Sequence, residues 1–259
     1  MAFDGALQQC GAINFLGFAF SACDLDTAVD AVAARGSVDG PFAYVATPNV
    51  DHVVGLDSEP GRRALYTDAW LTLNDSAVLA RLAKRSGLKL PRAAGADLAE
   101  RLFDQVIDPD EPITIIGGDA VAIGALRRRY GLTDVRWHEP PMGLKHNPLA
   151  VANAAAFAAR QPSRFTFICV GAPQQEMIAY AIRARGDASG VGLCVGAALD
   201  FLSGQTKRAP LWMRRAGMEW LHRFASEPAR LWRRYVVDGP RVFSLFAAWR
   251  SAMAAASAA

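Results

Sequence analysis

Short runs that are apolar throughout, each followed by a stretch of helical periodicity, recur from Ile13 to Val195. Phe42–Thr47, Pro112–Ile116, Arg164–Val170 and Val191–Val195 show it most clearly, with shorter runs at Ile13–Phe18, Trp70–Leu73 and Val135–Trp137. A strand with one wet face alternates apolar and polar residues, and these runs do not, so both faces must be covered. Between them the spacing predicts a helix from Asp24 or Asp26 to about Ala34. It also predicts helices at Glu59–Thr67, Ala77–Arg85, Asp97–Ile107, Ala120–Tyr130, Pro148–Arg160 and Gln174–Arg185. Doubly covered strands separated by helices make an α/β fold, a Rossmann-like parallel sheet with helices on both faces. Ligands of such sheets bind at the carboxyl ends of the strands. Chemistry is therefore expected in the loops beginning at Thr47, Asn74, Gly117, Gly171 and Gly196.

After Gly196 no further strand fits. Residues 1–206 read as the α/β core, 207–250 as a C-terminal helical appendage, and 251–259 as a disordered Ala-rich tail. The appendage carries ten Lys/Arg against three acids, a net +7 in a chain whose net charge is +3, so the remainder sums to −4. It also holds four of the six tryptophans, Trp212, Trp220, Trp232 and Trp249. Such a segment is suited to an anionic partner, either lipid headgroups or a phosphorylated ligand. The plainer alternative is a solvated pair of surface helices. Nucleic acid is not expected, because the body is acidic and contains no recognised nucleic-acid module.

The apolar runs are too short to span a bilayer, and Met1–Gly5 lacks the basic start of a secretory signal. A soluble or peripheral intracellular protein is expected. Cys10, Cys23, Cys169 and Cys194 show no paired spacing and read as reduced, small hydrophobic residues.

Several strand ends carry groups capable of chemistry. Thr47-Pro48-Asn49 offers a hydroxyl and an amide for a sugar or a phosphate, although Pro and Asn are also ordinary turn residues. Asp75, after Asn74, is placed to act as a general base; the plainer role for Asp75 or Ser76 is to cap the next helix. Gly117-Gly118 lacks the three spaced glycines of a dinucleotide fingerprint. Gln174, Gln175 and Glu176 open a helix; the glutamines can reach sugar or base edges, and the plainer role of Glu176 is to favour the positive helix end. Asp24-Leu25-Asp26 and Asp108-Pro109-Asp110 read as caps and turns rather than metal ligands, so no metal or cofactor is expected. Arg230, Arg233 and Arg234 share one helix face, which suits a diphosphate.

In this order these motifs resemble the WecG/TagA/CpsF glycosyltransferases, glycosyltransferase family 26. The resemblance is carried by Thr47-Pro48-Asn49, Asn74-Asp75, Pro91-Arg92 with Gly95-Ala96-Asp97, and Pro140-Pro141-Met142-Gly143. It continues through Gly171-Ala172-Pro173-Gln174-Gln175-Glu176, Lys207-Arg208-Ala209-Pro210, Gly217-Met218-Glu219-Trp220 and Glu227-Pro228. The resemblance implies an inverting, metal-independent transferase that moves a sugar from a UDP-sugar to a polyprenyl-diphosphate-linked glycan. Such an enzyme would serve bacterial surface or exopolysaccharide synthesis, peripherally at the inner face of the cytoplasmic membrane. A homo-oligomer is compatible with it.

It further implies Asp75 as catalytic base, with Thr47 and Asn49 beside it. Arg92, Gln175 and Glu176 are substrate-binding candidates, and Arg223, Arg230 and Arg233 are those aimed at the diphosphate. The tryptophans and the remaining arginines, including Arg214, Arg215 and Arg241, are left to face the membrane. One departure is Asp75-Ser76, where many members have Asp-Gly; this is expected to alter the turn. The competing reading is a non-catalytic nucleotide-sugar-binding regulator at the membrane.

Overall fold

The computed structural model describes residues 10–258. Met1–Gly5, read above for a secretory signal, and Ala259 of the Ala-rich end lie outside the described residues. The chain opens with an antiparallel hairpin, β1 (Ala12–Phe15) and β2 (Phe18–Ser21), where one strand over Ile13–Phe18 was expected. Leu16 and Gly17 both take positive φ, 49° and 84°, the two-residue turn whose twist matches a hairpin. Leu16 gives no sequence signal for that turn.

The hairpin register pairs Ala12 with Ser21, and Ala22 N donates to Gly11 O. Carried one pair further, it sets Cys10 opposite Cys23, and the two form a disulfide with Cα atoms 5.2 Å apart. This corrects the expectation of four reduced thiols; Cys169 and Cys194 are free. Helix α1 (Leu25–Arg35) follows, capped by Asp24, which accepts from Thr27 N at 2.9 Å, while Asp26 pairs with Arg101.

Strand β3 (Ala43–Ala46) leads to α2 (Val50–Ser58), a helix the sequence reading missed. Pro48-Asn49 is not a free turn: Asn49 is the helix cap, its side chain accepting from Asp51 N. The expected helix over Glu59–Thr67 is instead a 3₁₀ turn at Pro60–Arg63 and a single turn, α3 (Ala64–Thr67). Next come β4 (Leu71–Thr72), α4 (Ala77–Arg85), α5 (Gly95–Gln105), β5 (Ile113–Ile116), α6 (Ala120–Tyr130) and β6 (Val135–His138). A 3₁₀ turn at Leu144–His146 precedes α7 (Pro148–Ala159), β7 (Phe165–Ile168), α8 (Gln174–Arg185), β8 (Val191–Cys194) and α9 (Ala198–Leu202).

Strands β3 to β8 form one parallel sheet in the order β4-β3-β8-β7-β5-β6. Alternate residues explain the double coverage. Val45, Ile113, Ile115, Phe165, Phe167, Val191 and Leu193 pack in one cluster with residues of α1, α5, α6 and α9. On the other face Tyr44, Ile116, Ile168 and Cys194 pack with α7 and α8. The period-two alternation thus feeds two cores rather than one core and solvent.

Beyond α9 the chain is helical: α10 (Leu211–Arg215), α11 (Glu219–Ser226), α12 (Pro228–Trp232), a π-helical turn at Arg233–Asp238, and α13 (Arg241–Ala258). The Ala-rich stretch is therefore helical to Ala258 and not a disordered tail, in keeping with alanine's high helix propensity. Helix α13 folds back onto the N-terminal hairpin. Val242 and Phe246 join Phe15, Phe18 and Phe20 in a shared apolar cluster. Phe15 lies 6.1 Å from Phe246 and 5.1 Å from Trp249, ring centre to ring centre, both edge-on. Trp249, expected at a membrane, is thus a packing residue, and Arg241 pairs with Asp57. Of Arg215 only the backbone is described.

Truncating Phe246 to Ala should remove the ring that joins the two chain ends. A loss of about 3 kcal/mol is expected, read as a lower urea midpoint.

Candidate active site

The sheet order brings four loops together at adjacent carboxyl ends: Asn74-Asp75 after β4, Thr47–Asn49 after β3, Gly196 after β8 and Gly171–Glu176 after β7. They floor a cleft of ≈ 730 Å³ whose opposite wall is made by the C-terminal helices. Gly117 and Gly118 are not among its lining residues.

Asp75 sits half-buried on this floor. Its backbone is pinned by Asp75 N donating to Pro48 O at 3.0 Å. Burial raises its pKa from 3.8 to about 6, against the lowering effect of Arg92; Glu219 raises it further, and Asn49 and His52 lower it. Asn49 Nδ2 faces Asp75 Oδ2 at 3.5 Å, a long contact. Ser76 has φ −112°, open to any residue, and its hydroxyl accepts from Leu79 N. The Ser-for-Gly departure therefore leaves the turn intact and supplies the cap of α4. Thr47 is buried and donates its hydroxyl to Cys194 O at 2.8 Å, bracing β3 against β8.

Arg92 lines the cleft, but its donors go to protein: Nε to Asp75 O, Nη1 to Arg214 O at 3.0 Å and Nη2 to Glu219 at 3.3 Å. In this structure it fastens the C-terminal helices to the Asp75 loop. Gln175 also lines the cleft, with Oε1 accepting from Gly196 N at 2.8 Å. Glu176 does not line it. It is fully buried, held by His52 Nε2 at 3.2 Å and Gln175 Nε2 at 2.8 Å, which corrects its reading as a substrate contact.

Seven arginines line the cleft, at positions 62, 81, 92, 208, 223, 230 and 234, against the four acids Asp51, Asp75, Asp200 and Glu219. The excess favours a polyanion. Arg223 reaches the cleft and has no ion pair among the described residues; Arg230 pairs with Glu227. Arg233 is not there. It is exposed, 3.6 Å from Asp238, and Arg234 takes the inward place, paired with Asp51. The physical reason is the π-helical turn that begins at Arg233, which turns each residue less than the assumed α-helix does. Arg214, expected at a membrane, instead binds Asp97.

Sequence reasoning did not select Arg234, Asp51, Glu219 or His52 as site residues. Arg234 was visible in the Arg230/Arg233/Arg234 spacing, whereas Asp51 and His52 lay on the helix that was missed. Residues 13–256 match the model of the "Glycosyl transferase WecG/TagA/CpsF family", and the chain belongs to that glycosyltransferase family.

The raised pKa of Asp75 has a stability consequence. A carboxyl whose folded pKa exceeds its unfolded value contributes stability that is full below 3.8 and lost as pH rises through about 6. Asp75→Asn should therefore stabilise the fold by roughly 2–3 kcal/mol at about pH 8. The gain should vanish below about pH 4, as read from paired thermal melts.

Proposed function

We propose that this glycosyltransferase moves a sugar from a UDP-sugar to a polyprenyl-diphosphate-linked glycan, with inversion and without a metal, at the inner face of the cytoplasmic membrane. The observation that carries the reading is a half-buried carboxylate with raised proton affinity on the floor of an arginine-rich cleft. A sugar hydroxyl holds its proton tightly, so it must lose it as it attacks the anomeric carbon. Asp75 takes that proton, help typically worth roughly 10²–10⁴-fold. Attack by the acceptor itself, opposite the leaving UDP and with no enzyme nucleophile, inverts the centre. Arg223, Arg230 and Arg234 receive the charge that develops on the diphosphate, so no metal is required for that role. Gln175, whose second amide hydrogen has no partner among the described residues, orients the donor from the opposite loop.

The membrane part of the proposal is supported by exposed apolar side chains of the C-terminal helices. They are Trp212, Trp220 and Trp232 with Leu211, Val236, Val237 and Phe243. Indole rings interleaved with arginines suit the headgroup layer, and Trp220 and Phe243 also line the cleft. Among the described residues no helix is long and apolar enough to cross a membrane. Docking there would bring the cleft mouth to a lipid-linked acceptor.

The test is a screen of UDP-sugars on a defined prenyl-diphosphate glycan in excess EDTA, read by mass spectrometry. One donor should yield product with wild type and none with Asp75→Asn, which should still bind UDP by calorimetry. Absence of product with every donor would favour the non-catalytic regulator. The arginine assignment is separable. Arg234→Ala should weaken UDP binding by roughly tenfold, while Arg233→Ala should leave it within about twofold; the reverse order would return the role to Arg233.

A further inference from the structure

We propose that His52 and Glu176 are positioning residues for Asp75: with Gln175 and Asn49 they form a buried hydrogen-bond chain that crosses four adjacent strand ends and aims one amide at the base. The inference rests on the reading of Asp75 as that base. Its members are contributed in the order of the sheet, Asp75 after β4, Asn49 and His52 after β3, Gly196 after β8, and Gln175 and Glu176 after β7.

A fully buried carboxylate is costly unless its partners are well placed. Glu176 is 0% exposed and the His52 side chain 5%. Both donors, His52 Nε2 and Gln175 Nε2, converge on Oε1, and Oε2 has no hydrogen-bond partner among the described residues. An apolar pair would fill the same space without that cost, so the geometry itself indicates what the charge does. Nδ1 lies 3.2 Å from Asn49 N and 3.0 Å from Asn49 Oδ1; in the tautomer whose Nε2–H donates to the carboxylate, Nδ1 is left to accept from the Asn49 N–H. The ring is also packed edge-on against Tyr66, 5.9 Å between centres. Asn49 is held at its backbone by the imidazole and at Oδ1 by Asp51 N, 3.0 Å away. Its remaining amide group then points at Asp75 Oδ2. At the other end Gln175 is fixed between Glu176 and Gly196 N. The base and the donor-side loops are thus locked to one another through side-chain hydrogen bonds, with Glu176 outside the cleft lining.

The groups facing Asp75 are Arg92, Glu219, Asn49 and His52. Loosening the chain removes the Asn49 donor, which favours the carboxylate form, so the proton affinity of Asp75 should rise further. His52 itself also lowers that affinity, whereas Glu176 is not among the groups acting on Asp75, so an upward shift is assigned to the chain only when Glu176→Leu, which keeps the histidine, produces it too.

The experiment uses the full chain with ¹³Cγ-labelled aspartate and assigns the Asp75 resonance with Asp75→Asn. Wild type should titrate near pH 6. His52→Phe, which keeps a flat ring against Tyr66, should move that midpoint upward. The acid limb of the transfer rate should move with it, and kcat should fall on the order of 10–100-fold with the donor KM within about threefold. Glu176→Leu should reproduce these effects, and Glu176→Gln, which keeps the acceptor oxygen, should restore them to within about threefold. A folded His52→Phe or Glu176→Leu with an unmoved midpoint overturns the proposal. Should neither variant fold, a long-range ¹H–¹⁵N correlation on wild type at about pH 8 decides. A bare Nδ1 with protonated Nε2 supports the chain, and a protonated Nδ1 overturns it. The titration needs no sugar donor. Failure of transfer with every UDP-sugar therefore counts against the assignment of Asp75 as base and leaves the positioning test standing.

Discussion

The second wall of the cleft depends on a seam of arginine–carboxylate contacts. Asp97 and Glu100, on the first turns of α5, hold Arg208 at 2.8 Å each, and Asp97 also holds Arg214. Glu219 answers from the appendage by pairing with Arg92. Asp97 also sits where the helix dipole favours an anion, so the carboxylate is stabilised before any arginine arrives. At its far end the appendage is fixed differently, by Phe246 and Trp249 against Phe15. Between these anchors α11 buries no residue and α12 only Leu231. A segment with little buried apolar area opens at low cost. That weakly packed middle carries Arg223, Arg230 and Arg234, so the arginines proposed to meet an anionic ligand can adjust while both ends stay fixed.

The charge asymmetry between the body and the appendage has a first partner within the chain. Arg208, Arg214, Arg234 and Arg241 pair with Asp97, Glu100, Asp51 and Asp57 of the acidic body. Much of the basic excess is thereby spent on docking, and only part is left for a ligand or a membrane. The tryptophans divide in the same way: Trp249 packs, while Trp212, Trp220 and Trp232 stay exposed.

The sheet was legible because strands apolar on both faces admit one architecture, and the cleft because strand ends fix where loops converge. What was not legible depended on contacts between distant residues or on unusual local geometry. Cys10 and Cys23 meet only through a hairpin whose turn residue, Leu16, sits in a region it rarely visits. Helix α2 was hidden because its cap, Asn49, looks the same as a turn residue. Arg233 and Arg234 exchanged places because a π-helical turn shifts the faces that an α-helical wheel assigns. Glu176 was read as a ligand contact from its loop, but His52 and Gln175 draw it inward. The hairpin does not hang on its disulfide alone. Its ladder and the burial of Phe15, Phe18 and Phe20 remain if the bond is reduced.

The setting of Asp75 is a balance between effects of opposite sign. Burial alone would push a carboxyl far enough to keep it protonated near neutrality, where it could not accept a proton. Full pairing with arginine would hold it ionised but make it too weak a base to assist a sugar hydroxyl. Here Arg92 approaches only through its Nε to the Asp75 carbonyl and turns its Nη atoms to Glu219 and Arg214. Glu219 partly neutralises that arginine, and the Asn49 contact is long. The result is a pKa of about 6: ionised at neutral pH, yet with more proton affinity than a solvated aspartate. Because Glu219 belongs to the appendage and Asn49 to the loop fastened by His52, the basicity of Asp75 reports both how the cleft is closed and how its floor is aligned.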